Sequence, residues 1–109
     1  MNPKPGEVWL ADLGLSARTR PVVILSRYDS DPPRALVVYA PLTTQNRNSQ
    51  YEVILPKLNF LEKDSFVNMQ GIASLPKVWL ERKIGEIPCE IMDRIKKAII
   101  FTLDLEIKA

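Results

Sequence analysis

The chain has 109 residues and a net charge of +2, with 46% apolar and 26% charged side chains, the proportions of one globular domain of about 13 Å radius of gyration. It holds no histidine and a single cysteine, Cys89, which excludes an internal disulfide, a tetrahedral zinc centre, Ser-His-Asp and Cys-His nucleophile pairs and a two-histidine ribonuclease. No uncharged apolar stretch approaches the roughly 18 residues of a membrane span, and residues 1–6 open no apolar signal region, so a cytoplasmic protein away from the membrane is expected.

Any acid–base chemistry therefore falls to carboxylates, Arg, Lys, Tyr or the thiol. Residues 1–50 carry five arginines and one lysine against four acids, whereas residues 51–109 carry nine bases against nine acids. Arginine is the better fork for phosphate, so the first half is where an anionic ligand is sought.

Nine prolines and four glycines cut the chain into short pieces, as in a small β-rich fold with one helix. Residues 6–13 (GEVWLADL) alternate as a first strand, with Val8, Leu10 and Asp12 on one face. Residues 21–26 (PVVILS) are apolar on both faces and read as a central strand. A turn at residues 29–33 (DSDPP) leads to a partner strand at 35–40 (ALVVYA). Residues 51–55 and 65–69 give two more short strands, and 83–87 a last one. From Cys89 the period changes: Ile91, Ile95, Ala98, Ile99, Thr102 and Leu103 share a helical stripe while Glu90, Asp93, Arg94, Lys96 and Lys97 face out. A helix over about residues 89–105 is expected, covering a sheet too small to bury its own apolar face. Cys89 reads as a small buried or half-buried filler. Trp9 and Trp79 read as core or interface residues.

Two positions invite chemistry. Arg20 precedes Pro21, so its backbone is pushed into extended geometry and its guanidinium is mounted on a partly fixed junction. Thr43 follows the third strand and offers a hydroxyl that can donate to a phosphate oxygen. Taken alone, the first also reads as a surface arginine and the second as an ordinary turn hydroxyl. Tyr39 and Tyr51 flank the polar loop between them and offer rings for stacking a base or for wall packing.

The words Gly6-Glu7-Val8-Trp9, Arg20-Pro21-Val22-Val23-Ile24 and Pro41-Leu42-Thr43-Thr44-Gln45, in this order and closed by a helix, resemble the MazF/PemK family of toxin endoribonucleases over residues 4–105. The resemblance implies a mainly β fold with a C-terminal helix, a small curled antiparallel β-barrel. It also implies one toxin domain over residues 1–109 that forms a homodimer and cleaves single-stranded RNA with no metal or other cofactor. Its partner would be a cognate antitoxin whose extended acidic tail occupies the RNA groove. By the same resemblance Arg20 and Thr43 are the catalytic residues, and Arg18, Thr19, Thr44, Gln45, Arg47 and Gln70 contact RNA.

The sequence also departs from that family. The loop at residues 14–19 (GLSART) is short and lacks the Glu or His found in many relatives. Val67 and Met69 stand where some relatives place an Arg and an Asp. The general base is therefore unassigned, Glu7 and Asp12 being the nearest carboxylates in sequence to the first strand. Two rival readings stay open: a non-catalytic poison of DNA gyrase on the same barrel, as in CcdB-type proteins, and an RNA-binding barrel with weak or no chemistry. The chain end, Leu105-Glu106-Ile107-Lys108-Ala109, lacks the aromatic-then-small pattern of the first rival.

Overall fold

The computed structural model describes residues 2–14 and 19–106. Seven strands precede one helix: β1 Glu7–Asp12, β2 Thr19–Ile24, β3 Leu36–Thr43, β4 Glu52–Ile54, β5 Phe66–Asn68, β6 Ala73–Pro76, β7 Leu80–Glu86 and α1 Cys89–Thr102. Short 3₁₀ turns at Met69–Gly71 and Lys77–Trp79 bracket β6. All pairings are antiparallel and the strands run in the order β4-β5-β3-β2-β1-β7. The expected mainly β fold with a terminal helix is present; the ladder curls without closing.

The curl originates in β3. Along one edge it pairs with β2, while its other edge pairs first with β6 (Leu36 to Tyr39) and then with β5 (Leu42 and Thr43). One strand thus turns the sheet, and apolar clusters form on both of its faces. The larger cluster contains Val8, Val23, Ala40, Val67 and Met69 and is capped by Ile91, Ile95 and Ala98 of α1. The smaller contains Trp9, Ala11, Val22, Ile24, Val37, Leu75 and Leu80. Val22, Val23 and Ile24 are wholly buried, each worth about 1.5–3 kcal/mol relative to exposure; β2 is the central strand its composition predicts.

Several boundaries move. β6 is absent from the sequence reading because its four residues place only Leu75 in the core, too little for a period to register. β7 begins at Leu80, three residues ahead of expectation, because Glu81, Arg82 and Lys83 lie exposed on an end strand and hide its alternation. On β1 Glu7, Val8, Trp9 and Ala11 are all buried, Leu10 is half-buried and Asp12 is exposed. Trp9 is therefore core, and Trp79, at 46% exposure, is surface. Cys89 is exposed rather than a filler, because it opens the helix ahead of the first inward position, Ile91.

The helix stops at Thr102, not 105. Asp104 adopts φ 52°, its N–H bonds the Phe101 carbonyl at 3.2 Å and the Leu105 N–H bonds the Ile100 carbonyl at 2.9 Å. These are the two reversed bonds of a Schellman ending, and they leave Leu103 half exposed instead of on the buried stripe.

Candidate active site

The β2–β3 ladder runs Ile24↔Tyr39, Val23↔Ala40, Val22↔Pro41 and then ends. The next pair would be Pro21 with Leu42, and the one beyond it Arg20 with Thr43. Proline supplies no N–H to a ladder, and with Pro21 and Pro41 on the two strands the pairing gives out. β3 turns to β5 instead, through Leu42↔Val67 and Thr43↔Phe66. The parted strands leave a cleft of about 520 Å³ with Arg20, Pro21, Pro41 and Thr43 in its walls. That volume lies within the range of small-ligand sites.

Both residues expected to be catalytic thus face one cleft, brought there by adjacent strands. Thr44 and Gln45 line it too, as do Tyr39, Leu42 and Ser65. The Thr43 Oγ1 accepts the Gln45 N–H at 3.1 Å, the local turn bond such hydroxyls commonly make. That bond fills an acceptor site only. The hydroxyl proton stays available to donate, and the oxygen is held in place. Among the described residues the ion pairs are Lys83 with Glu7 and Lys83 with Glu86, so the Arg20 guanidinium has no carboxylate partner there to neutralise it.

The remaining expected residues divide. Arg47 does not line the cleft, but its Nη2 donates to Gln45 Oε1 at 3.1 Å and its backbone N–H to Glu52 Oε1 at 2.9 Å, so it stiffens the rim. Gln70 lies exposed in the 3₁₀ turn after β5, outside the cleft lining, with its N–H on Asn68 Oδ1 at 3.1 Å. Its neighbour Gly71 packs on Pro41, where a Cβ would come within 2.6 Å of Cγ. Thr19 is exposed, pairs with Asp12 in the β1–β2 ladder and does not line the cleft. Arg18 lies outside the described residues. Of the two tyrosines, Tyr39 is in the cleft, whereas Tyr51 packs on Phe101 of α1 with ring centroids 5.1 Å apart.

Neither carboxylate nearest β1 reaches the cleft. Asp12 Oδ1 accepts the Gly14 N–H at 2.8 Å. Glu7 is buried and accepts from Lys4 N–H at 2.9 Å, Trp9 Nε1 at 3.0 Å and Lys83 Nζ at 3.2 Å. Burial pushes its carboxyl up, but these donors together outweigh burial and hold it below its ordinary 4.5. A carboxylate so engaged organises the β1–β7 junction; it is no free base. Val67 and Met69 are wholly buried, so those positions contribute packing rather than proton transfer. Ser65, which the sequence reading missed, lines the cleft while its Oγ donates to the Lys63 carbonyl at 2.9 Å; a lone serine ahead of a three-residue strand carries no signal.

Among the described residues no group of three or more Asp, Glu or Cys side chains is placed to hold a metal ion, and no helix is long and apolar enough to cross a membrane.

The chain is similar in sequence and fold to proteins of a known family. A family profile described as PemK-like, MazF-like toxin of type II toxin-antitoxin system matches residues 4–103. The chain is 31% identical to "Endoribonuclease MazF6" of Mycobacterium tuberculosis over 108 residues, covering 91% of this chain and 95% of that one. It is 32% identical to "Probable endoribonuclease MazF5" of the same organism, with 94% of each covered. Among solved structures it is similar to an "Endoribonuclease in complex with its cognate antitoxin from Mycobacterial species", with a TM-score of 0.84 at 29% identity, covering 97% of this chain and 99% of that one. It is also similar to "Mycobacterium tuberculosis toxin MazF-mt6", with a TM-score of 0.81 at 30% identity, covering 93% and 99%.

Proposed function

The chain belongs to the PemK-like, MazF-like toxins of type II toxin-antitoxin systems, and from that membership we propose that it is an endoribonuclease toxin cutting single-stranded RNA in the cleft between β2 and β3. The observation that carries this reading is the convergence of Arg20 and Thr43 on one cleft where the ladder parts.

The chemistry those two groups serve is attack of a ribose 2′-OH on the adjacent phosphorus, in line with the departing 5′-oxygen. Negative charge builds on the non-bridging oxygens as the new bond forms. The positive guanidinium of Arg20, at the rim, stabilises that charge rather than taking a proton. Thr43, its oxygen fixed by the Gln45 N–H, donates to the same phosphate and orients it. The attacking hydroxyl loses a proton and the leaving oxygen gains one, so the ends are a 2′,3′-cyclic phosphate and a 5′-hydroxyl. DNA, lacking the 2′-OH, is not a substrate. No metal is required, because the guanidinium supplies the positive charge.

The protein acts as one toxin domain in the cytoplasm, is held inactive by a cognate antitoxin with an extended acidic tail, and pairs as a homodimer. Exposed Leu36, Val38, Val78 and Trp79, gathered on β3 and the turn after β6, give such a dimer an apolar face. A second reading, an RNA-binding barrel without cleavage, is favoured by the burial of Val67 and Met69 and the engagement of Glu7.

Incubation of single-stranded RNA with the chelator-treated protein separates the two. Cleavage leaving 2′,3′-cyclic phosphate ends supports the nuclease. Intact RNA that is nevertheless bound supports the barrel, and 5′-phosphate ends would point to metal-assisted hydrolysis.

A further inference from the structure

The catalytic cleft continues past Arg20. A second cleft of about 460 Å³ adjoins it, and Arg20, Pro21, Thr44 and Ser65 line both. Its other walls come from segments the chemistry above does not use: Phe60 and Lys63 of the connection between β4 and β5, and Arg82 and Ile84 of β7. The two clefts occupy opposite faces of the sheet. Tyr39, Pro41 and Thr43 alternate onto one face. Leu10, opposite Pro21 on one side and Arg82 on the other, stands on the second. They meet at the rim, where the β2–β3 ladder has parted.

The lining has a definite chemistry. Arg20, Lys63 and Arg82 outnumber the one carboxylate, Glu62, and surround an apolar floor of Leu10, Phe60 and Ile84. Among the described residues neither Lys63 nor Arg82 is held in an ion pair. Cations arranged about an apolar and aromatic floor suit a nucleotide, the charges meeting phosphate and the floor meeting a base. Arg82 and Pro21 flank Leu10 in neighbouring ladders, so their strands lie about 10 Å apart, within the combined reach of two arginine side chains. A path that folds over a sheet rim also admits a flexible single strand and not a stiff duplex.

We propose that this second cleft is a nucleotide subsite for the RNA strand in the catalytic cleft, in which Arg82, with Lys63, holds the backbone phosphate next to the one clamped by Arg20. The adjoining base lies on Phe60 and Ile84. The proposal rests on the reading of the protein as RNA-binding, and makes Arg82 a binding residue rather than a catalytic one.

The test is fluorescence anisotropy with a labelled, uncleavable 2′-O-methyl RNA of random sequence, about twelve nucleotides long. Wild type is compared with Arg82→Ala, Lys63→Ala and, as a control on the exposed face of α1, Lys96→Ala. Arg82→Ala should weaken binding roughly 5- to 10-fold at about 0.1 M salt and make the log–log salt slope shallower by about 0.7, one phosphate contact of a single strand. Lys63→Ala should give a smaller loss in the same direction, and Lys96→Ala neither change. Equal affinity and slope in Arg82→Ala and wild type overturn the subsite. A wild type that shows this Arg82 dependence yet cuts no RNA supports the subsite and overturns the nuclease. One that cuts RNA with Arg82→Ala indistinguishable in binding overturns the subsite alone.

Discussion

The ring of Phe60 lies directly against Gly85, so closely that a Cβ at that position would fall 2.3–2.5 Å from three ring carbons. This contact fastens the otherwise irregular connection between β4 and β5 onto β7, and so sets one wall of the second cleft. Gly85→Ala should expel the ring and cost about 1–3 kcal/mol, the usual penalty for overpacking. A lower urea midpoint with an unchanged slope would register it. An unchanged midpoint would show that the connection is not held there.

Arg20→Ala should slow cleavage of single-stranded RNA roughly 10²- to 10³-fold, the typical loss for one preorganised donor at a developing oxyanion. Thr43→Val should slow it as well, while Thr43→Ser, which keeps the hydroxyl, should retain most activity. Single-turnover rates on one RNA decide the matter. Wild-type rates in both Arg20→Ala and Thr43→Val would remove these residues from the chemistry.

Glu7 predicts a direction for acid stability. Its folded pKa lies below the ordinary 4.5, so its contribution is fully present above that value and is lost as pH falls through the lower, folded one. Glu7→Gln removes the titration and should flatten the decline of thermal stability as pH falls below the ordinary 4.5, while lowering stability near neutrality. The partner titrates oppositely. Hydrogen bonding to Glu7 raises Lys83 above 10.5, so its share is lost only as pH climbs through that raised value. Melting temperatures across the pH range test both.

Asp104 sits at φ 52° in the helix ending, a conformation that favours glycine. Asp104→Gly should therefore be neutral or stabilising, by up to about 1 kcal/mol. A melting temperature clearly below wild type would mean that the aspartate side chain, not its backbone, matters at that turn.

What was legible in the sequence was what local chemistry marks. Arg20 precedes Pro21 and Thr43 lies two residues after Pro41, and those prolines part the strands around the cleft, although it is the family resemblance that gives the two residues their roles. Val22, Val23 and Ile24 announce the central strand, and Ile91, Ile95 and Ala98 the buried helix face. Ser65, Arg82 and the Phe60–Gly85 contact were not legible, because their meaning arises from pairing between distant segments. β6 escaped because only Leu75 of its four residues reaches the core, and the start of β7 because an end strand bearing Glu81, Arg82 and Lys83 shows no apolar alternation. Gln70 and Thr19, placed at the site by resemblance, stand outside the cleft lining.

The unclosed ladder has one more consequence. A sheet with free margins exposes unpaired N–H and C=O groups, which invite another chain to add itself and start an aggregate. Here β4 is only three residues long and β6 only four, while β7 carries Glu81, Arg82, Lys83 and Glu86 along its length. Brevity on two margins and charge on the third discourage stacking into fibres, so the protein can leave its barrel open without becoming a template for its own precipitation.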